Sequence, residues 1–248
     1  FGDVLYGNTV EIPFDILNIG NYDLTVTDIT VASDDFSVDF SGEFIIDAEG
    51  QVSMTASYTA EIYDDVTGQI TITTDDPVDP VVTISLSGTC LYPVITLGTD
   101  FYDFGGVLVG EDNSFILEVG NDGTSDLHVS DFMLEDLYYT TDADYEFVVA
   151  PGDYEFINVT FTPGTYGTFD GLIDILCDDP VNPEMQVNLI AVGLASDITA
   201  DVESLDFGDV EYTHDLTMGV TIGNVGNIDL VISEVLNSEE CFAPHFTD

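Results

Sequence analysis

One block of this sequence recurs at a constant spacing of 103 residues, and that period sets the size of whatever the chain folds into. The tetrapeptide F-G-[DG]-V begins at Phe1, Phe104 and Phe207. The sequence N-x-G-x-x-D-L follows in register, as Asn18, Gly20, Asp23 and Leu24, then Asn121, Gly123, Asp126 and Leu127, then Asn224, Gly226, Asp229 and Leu230. D-D-P-V-x-P runs from Asp75 to Pro80 and again from Asp178 to Pro183, and Gly68 and Gly171 keep the same offset. Each repeat has the length of a β-sandwich domain.

Within a repeat the hydrophobic pattern has period two. Thr9–Ile19, Leu24–Val31, Gly68–Thr74 and Val81–Ser87 alternate, and the second repeat answers with SFILEV, FINVTFTP and GLIDIL. Turn signals separate these runs: N-x-G at Asn18, D-D-P at Asp75, A-P-G at Ala150. The spacing predicts seven or eight short strands per repeat, no helix, and an all-β fold of tandem immunoglobulin-like antiparallel sandwiches.

The order D-F-G-x-V, N-x-G-x-x-D-L, A-P-G…F-T-P (Ala150 to Pro163) and D-D-P-x-x-P resembles the immunoglobulin-like ASH/HYDIN-type domain, whose prokaryotic form is the choice-of-anchor D-like repeat of surface proteins. The first repeat departs from F-T-P, with Tyr58, Thr59 and Ala60 in its place. The resemblance implies stalk, adhesin or surface-filament modules. It identifies a fold better than a function, because these motifs are turns and core positions. The expected domains are residues 1–92, 93–194 and 195–248. The first lacks a counterpart of the strand-like Val94–Asp103 and Ile198–Asp206, and the third holds only its N-terminal part. Half a sandwich cannot bury a core, so either a longer parent chain or strand complementation between subunits is expected to complete such a unit. The opening at Phe1, without a signal peptide, reads as a mature protein or an excised segment.

Charge then narrows the function. The chain has 49 Asp and Glu, three His and no Lys or Arg, for a formal charge of −49. Nucleic-acid binding and anionic-membrane binding both need basic side chains and are excluded as expectations. Schiff-base lysines and arginine clamps on phosphate are impossible in these residues. The chain is not read as disordered, because 45% of it is hydrophobic. Acidic strands repel one another, so the fold is expected to need salt, divalent cations or acid, with monovalent or divalent cations as counterions. A chain without Lys or Arg also offers trypsin-like proteases no cleavage site, which suits a long-lived external fibre.

Candidate sites are few. Asp75, Asp76, Asp79, Asp178 and Asp179 are the candidate Ca²⁺ ligands, against the stronger reading that they build the D-D-P turns. Asp142 and Asp144, with Glu135 and Asp136 close by, are a second acidic group, of a kind that is more often a solvated edge than a cation site. His128, His214 and His245 occupy non-equivalent positions and show no zinc spacing. Cys90, Cys177 and Cys241 also fall at non-equivalent positions, and an odd count argues against a closed disulfide framework. Asn158-Val-Thr160 is a glycosylation sequon.

The expected function is a non-enzymatic structural protein of the cell exterior: a stalk, adhesin shaft or filament subunit that self-associates or meets other surface proteins. It requires no cofactor, with Ca²⁺ the one considered. An acidic module binding Ca²⁺, a cationic partner or a surface is the first alternative. A non-catalytic carrier segment of a larger secreted enzyme is the second. The segments Thr89–Tyr92 and Gly193–Ser196 carry little Gly or Ser, so stiff joints are expected.

Overall fold

The computed structural model describes residues 1–134, 136–237 and 241–245. The described residues form strands and turns, with no helix. The first repeat contains β1 (Asp3–Leu5), β2 (Thr9–Leu17), β3 (Leu24–Val31), β4 (Phe36–Val38), β5 (Phe44–Ile46), β6 (Gln51–Thr59), β7 (Asp65–Thr74) and β8 (Val81–Leu91). One sheet runs β1-β8-β7-β3-β5 and the other β2-β6-β4. The second repeat contains β9 (Ile95–Leu97), β10 (Phe101–Leu108), β11 (Asn113–Asn121), β12 (Leu127–Leu134), β13 (Tyr139–Thr141), β14 (Phe147–Val149), β15 (Tyr154–Phe161), β16 (Gly167–Cys177) and β17 (Glu184–Leu194). Its sheets run β10-β17-β16-β12-β14 and β13-β15-β11-β9.

The 103-residue offset carries from sequence into structure. β3 and β12, β4 and β13, β5 and β14, and β8 and β17 start and stop at positions related by that offset. Two details differ from the expected antiparallel sandwich of seven or eight strands. The second repeat has nine strands. The strands beginning near F-G-[DG]-V pair parallel, β1 with β8 and β10 with β17.

Alternation puts one face of each sheet inward. Leu117, Val119, Leu127, Ile157, Phe161, Ile173, Ile175 and Val187 form the core of the second repeat, and Phe104 packs among them. Val26, Ile46, Tyr58, Ile70 and Ile72 form that of the first, with Phe1 packed on its margin. The aromatic centre is the same in both, with the hydroxyl moved. Phe36 faces Tyr58 in the first repeat, and Tyr139 faces Phe161 at the equivalent positions in the second. Gly68 and Gly171 keep register because each leaves room for that ring. An added Cβ would lie 2.7 Å from Phe36 and 2.8 Å from Tyr139.

One difference between the repeats matters most. The second repeat's smaller sheet has four strands and the first repeat's has three, and the strand without a counterpart is β9. Leu127 is accordingly fully buried while its equivalent Leu24 is half-buried. Beyond Leu194 the described residues form only β18 (Ile198–Ala200) and β19 (Ile222–Asn224), which pair with each other, and none of them is buried. Phe207 and Leu230 are therefore half-exposed rather than core.

Candidate functional site

The D-D-P acids use their oxygens on backbone N–H groups. The Thr25 N–H donates to Asp75 Oδ1 at 2.8 Å, and the His128 N–H donates to Asp178 Oδ1 at the same distance. The N–H groups of Val78 and Asp79 donate to Asp76 Oδ1 at 2.7 and 3.1 Å, and those of Val181 and Asn182 donate to Asp179 Oδ1 at 2.7 and 3.0 Å. The bonds to Asp76 and Asp179 are Asx turns, which fix the hairpin between β7 and β8 and between β16 and β17, while those to Asp75 and Asp178 tie each hairpin to β3 or β12. The Thr25 N–H holds the Asp75 carboxyl below the usual carboxylate range. Asp79 is exposed, with its N–H engaged by Asp76. The acids are close in sequence but point their oxygens at the chain, and among the described residues no three His, Cys, Asp or Glu side chains converge as a metal would require.

The other candidates are also dispersed. Asp142 Oδ1 accepts the Asn158 N–H at 2.7 Å, as Asp39 Oδ1 accepts the Thr55 N–H at 2.6 Å one period earlier. Asp136 accepts the Tyr138 N–H. Asp144 is exposed, and Glu135 lies outside the described residues. His128 sits exposed on β12, His214 lies 3.9 Å from Glu211 on the surface, and His245 is exposed. Cys90 is buried, Cys177 half-buried and Cys241 exposed, all as free thiols. Burial pushes the Cys90 and Cys177 thiols above their ordinary pKa. The sequon residue Asn158 lies within β15, half-buried, with its amide donating to Thr160 Oγ1 at 3.2 Å.

What the structure does assemble is a strand slot in the second repeat, filled by β9. In the second repeat β9 lies antiparallel to β11, with Ile95 opposite Asn121, Thr96 opposite Gly120 and Leu97 opposite Val119. Two side chains hold its start. Asn121 Oδ1 accepts the Val94 N–H at 3.1 Å, and Asp179 Oδ2 accepts the Ile95 N–H at 2.9 Å. Both side chains are buried, so each bond satisfies a polar group that would otherwise cost about 1–3 kcal/mol. Just before the strand, the Tyr92 carbonyl accepts the Thr124 and Ser125 N–H groups at 2.7 and 3.2 Å. Gly123 is needed there because a Cβ would sit 2.4 Å from the Tyr92 oxygen.

In the first repeat the same parts surround an open groove of about 230 Å³. Phe14, Ile16, Leu24, Ile72 and Ile84 line it, and Asp76 stands at its rim. Asn18 is buried and its amide donates to the Tyr22, Ile46 and Asp47 carbonyls, while its Oδ1 accepts the Gly20 N–H, as Asn121 Oδ1 accepts that of Gly123. The Asn18 N–H bonds back to Gly50, so by alternation the Leu17 N–H and C=O face the open edge of β2. A Cβ on Gly20 would meet only Asn18 Oδ1, at 3.1 Å. Sequence analysis noticed the absent strand but missed the residues that receive it. Asn and Asp at a fixed offset was the available signal, and it reads first as turn chemistry.

A second concavity of about 520 Å³ lies where the two repeats meet, between Leu5, Tyr6 and Leu91 on one side and Thr124, Asp126, His128 and Asp178 on the other. Tyr63 stacks on Tyr6 and packs against Tyr92 at this joint, with centroid separations of 5.2 and 4.5 Å. At the next joint the equivalent Tyr166 hydroxyl donates to Asp197 at 3.2 Å.

Comparison with known proteins agrees with the repeat structure. The family model described as HYDIN/CFA65/VesB-like, Ig-like domain matches residues 1–89 and again 93–191. No curated protein matches the chain. Among solved structures, a protein of unknown function from Porphyromonas gingivalis W83 is 17% identical, covering 76% of this chain and 93% of its own, with a TM-score of 0.36. The ASH/PapD-like domain of human CEP192 is 15% identical, covering 42% and 87%, with a TM-score of 0.35. The secreted serine protease VesC from Vibrio cholerae is 10% identical, covering 77% and 48%, with a TM-score of 0.30.

Proposed function

The chain belongs to the HYDIN/CFA65/VesB-like Ig-like family, and from that membership we propose that it is a non-catalytic structural protein of the cell exterior, a stalk, adhesin shaft or filament subunit built from stiff repeats. The observation that carries this reading is that both joints are tied at equivalent positions. Thr124 clamps the Tyr92 backbone through its own N–H and hydroxyl, and Asn227, one period later, clamps the Ala195 backbone with its N–H and its side-chain oxygen. Tyr63 and Tyr166 brace the two joints from the preceding repeat. A joint repeated in register transmits one orientation from unit to unit, which is what a load-bearing array needs and an enzyme does not.

The acidity supports an exterior setting. With −49 and no basic side chain, exposed sheet edges of neighbouring molecules repel and do not fuse. The test is small-angle scattering in 1 M NaCl together with protease challenge. An elongated particle with a narrow cross-section, intact after prolonged trypsin, is the expected result. A particle whose repeats sample all orientations refutes the stiff-array reading.

A further inference from the structure

We propose that Asn158 carries an N-linked glycan and that the first sugar of this glycan lies on the Phe156 ring, covering an apolar face of the second repeat. The inference rests on the exterior setting proposed above, because Asn-linked sugars are added to exported chains. The face is the outer surface of the sheet β13-β15-β11-β9. Residues two apart on a strand share a face. Tyr154, Phe156, Asn158 and Thr160 of β15 therefore point away from the core that Ile157, Val159 and Phe161 fill. On β11, Ile116 stands opposite Asn158 and Glu118 opposite Phe156. Three of these side chains are large, apolar and in water: Ile116 is 65% exposed, Phe156 60% and Tyr154 46%. A single exposed apolar residue needs no explanation, but three adjoining ones on one outer face call for an occupant.

The occupant is argued from the centre of the patch. Asn158-Val159-Thr160 is an acceptor sequence for Asn-linked sugar. The Asn158 N–H donates to Asp142 Oδ1, and the Asn158 carbonyl accepts the Asp142 N–H. Both backbone groups thus face β13, so Asn158 and Ile116 form a non-hydrogen-bonded pair across β15 and β11, the arrangement that brings opposed side chains closest. Asn158 Nδ2 accordingly leaves the sheet between Ile116 and Phe156. Phe156 is about 7 Å away along the strand, a distance that one sugar ring bridges. The C–H groups of a pyranose pack on the negative face of an aromatic ring. Tyr154, stacked on Phe156 with centroids 6.4 Å apart, extends the platform. The first repeat is the control. Its β2 and β6 pair in the same register, with Pro13 opposite Thr55, and Asp39 accepts the Thr55 N–H as Asp142 accepts that of Asn158. Yet the places of Tyr154, Phe156, Asn158 and Thr160 are taken by Gln51, Ser53, Thr55 and Ser57. The fold requires neither the aromatic pair nor the acceptor, and the two come and go together. A neutral sugar covers this surface without adding charge, whereas a second copy would bring Glu118 and Asp142 against their own kind.

In the transfer, Asn158 Nδ2 attacks C1 of a polyprenyl-phosphate-linked oligosaccharide, which the export route supplies with its transferase. The N–C1 bond forms, the C1–O bond breaks, the phosphate leaves with the electron pair, and Nδ2 yields one proton to a base of the transferase. The acceptor must be extended and reachable, so transfer precedes closure of the sheet.

The test uses the chain secreted from a host that adds Asn-linked sugars, digested after Asp and Glu because trypsin has no site. The expected result is a peptide of residues 156–170 that carries sugar in the mass spectrum and loses it in Thr160→Ala. The glycan is expected to raise the Tm of the second repeat by about 4 °C over the same chain from a host without the transferase. Its first sugar should show upfield-shifted ring protons by NMR. Phe156→Ser, the residue of the first repeat, keeps the acceptor and is expected to abolish both effects. A sugar-free peptide, from this host or from the native source, overturns the proposal, and so do effects that Phe156→Ser leaves unchanged. A sugar-free chain that pairs face to face until Phe156→Ser separates it gives the surface to a second copy, which also overturns it. Failure in the secreting host leaves the exterior reading standing, because that host supplies export, whereas a native chain found inside the cell removes the exterior reading and the glycan with it.

Discussion

Replacing Gly123 with alanine tests how the N-x-G turn seats the chain that enters β9. A Cβ at Gly123 would lie 2.4 Å from the Tyr92 carbonyl oxygen and 2.6 Å from Pro93 Cα and the Val94 nitrogen. All three are backbone atoms, and ordinary contact begins near 3.4 Å, so the segment must retreat by about 1 Å. Overpacking of this kind costs about 1–3 kcal/mol. The retreat also weakens the bonds from the Thr124 and Ser125 N–H groups to Tyr92, at about 1 kcal/mol each. A loss of about 3 kcal/mol is expected for the second repeat, which in a domain of about 100 residues lowers its Tm by about 12–24 °C. The matched change Gly20→Ala meets only the Asn18 side-chain oxygen at 3.1 Å. It also removes unfolded-state freedom worth about 0.4–1 kcal/mol. Its net effect is expected within about 0.5 kcal/mol. Differential scanning calorimetry in 0.1 M salt reads both. Equal losses from the two substitutions, or a neutral Gly123→Ala, would refute the account of what N-x-G does in this repeat.

Four further outcomes follow from the same geometry. Tyr58→Phe installs the residue that the second repeat carries at that place, and because the Tyr58 hydroxyl is buried without a partner the change is expected to be neutral or to stabilise by about 1 kcal/mol in urea unfolding. Asp179→Asn turns an amide donor toward the Ile95 N–H and is expected to cost about 2 kcal/mol and to speed exchange of that amide, while Asp76→Asn costs under about 0.5 kcal/mol in the monomer. The Asp75 and Asp201 carboxyls are held below 3.8 by the Thr25 and Thr221 N–H groups. Depressed folded-state values stabilise above the unfolded pKa and lose that contribution as pH falls through the folded one, so carboxyl NMR titration should place both midpoints below 3.8. In native protein at pH 8 a thiol reagent should label Cys241 quickly and Cys90 only after unfolding, because Cys241 is exposed while burial raises the Cys90 thiol pKa.

The candidate sites were legible in the sequence only as residue types. Asp75, Asp76, Asp178 and Asp179 were visible as acids on a turn; Asp76 and Asp179 accept N–H groups within it, whereas Asp75 and Asp178 accept those of Thr25 and His128, 50 residues away. Invisible was the division of labour within one side chain, with Asp179 Oδ1 closing the turn and Oδ2 holding a strand 84 residues away. Sequence spacing reports local bonds well, but it cannot tell that a second oxygen of the same carboxylate is committed to a distant segment.

The sequence alone determined the repeat length, the all-β architecture and the approximate positions of β2, β3, β7 and β8. Period-two alternation and turn residues are local properties, and a constant offset copies them from one unit to the next. It also determined the charge, −49 with no Lys or Arg. Only the tertiary structure decided that the strand at F-G-[DG]-V lies parallel to its neighbour, that Tyr58 and Tyr139 exchange places with Phe161 and Phe36, and that Asn121 and Asp179 hold β9 against β11. Those outcomes depend on which segments meet across the sandwich. A long-range pairing is selected by the volume and the unpaired N–H groups left between two sheets, and these exist only once both sheets are in place.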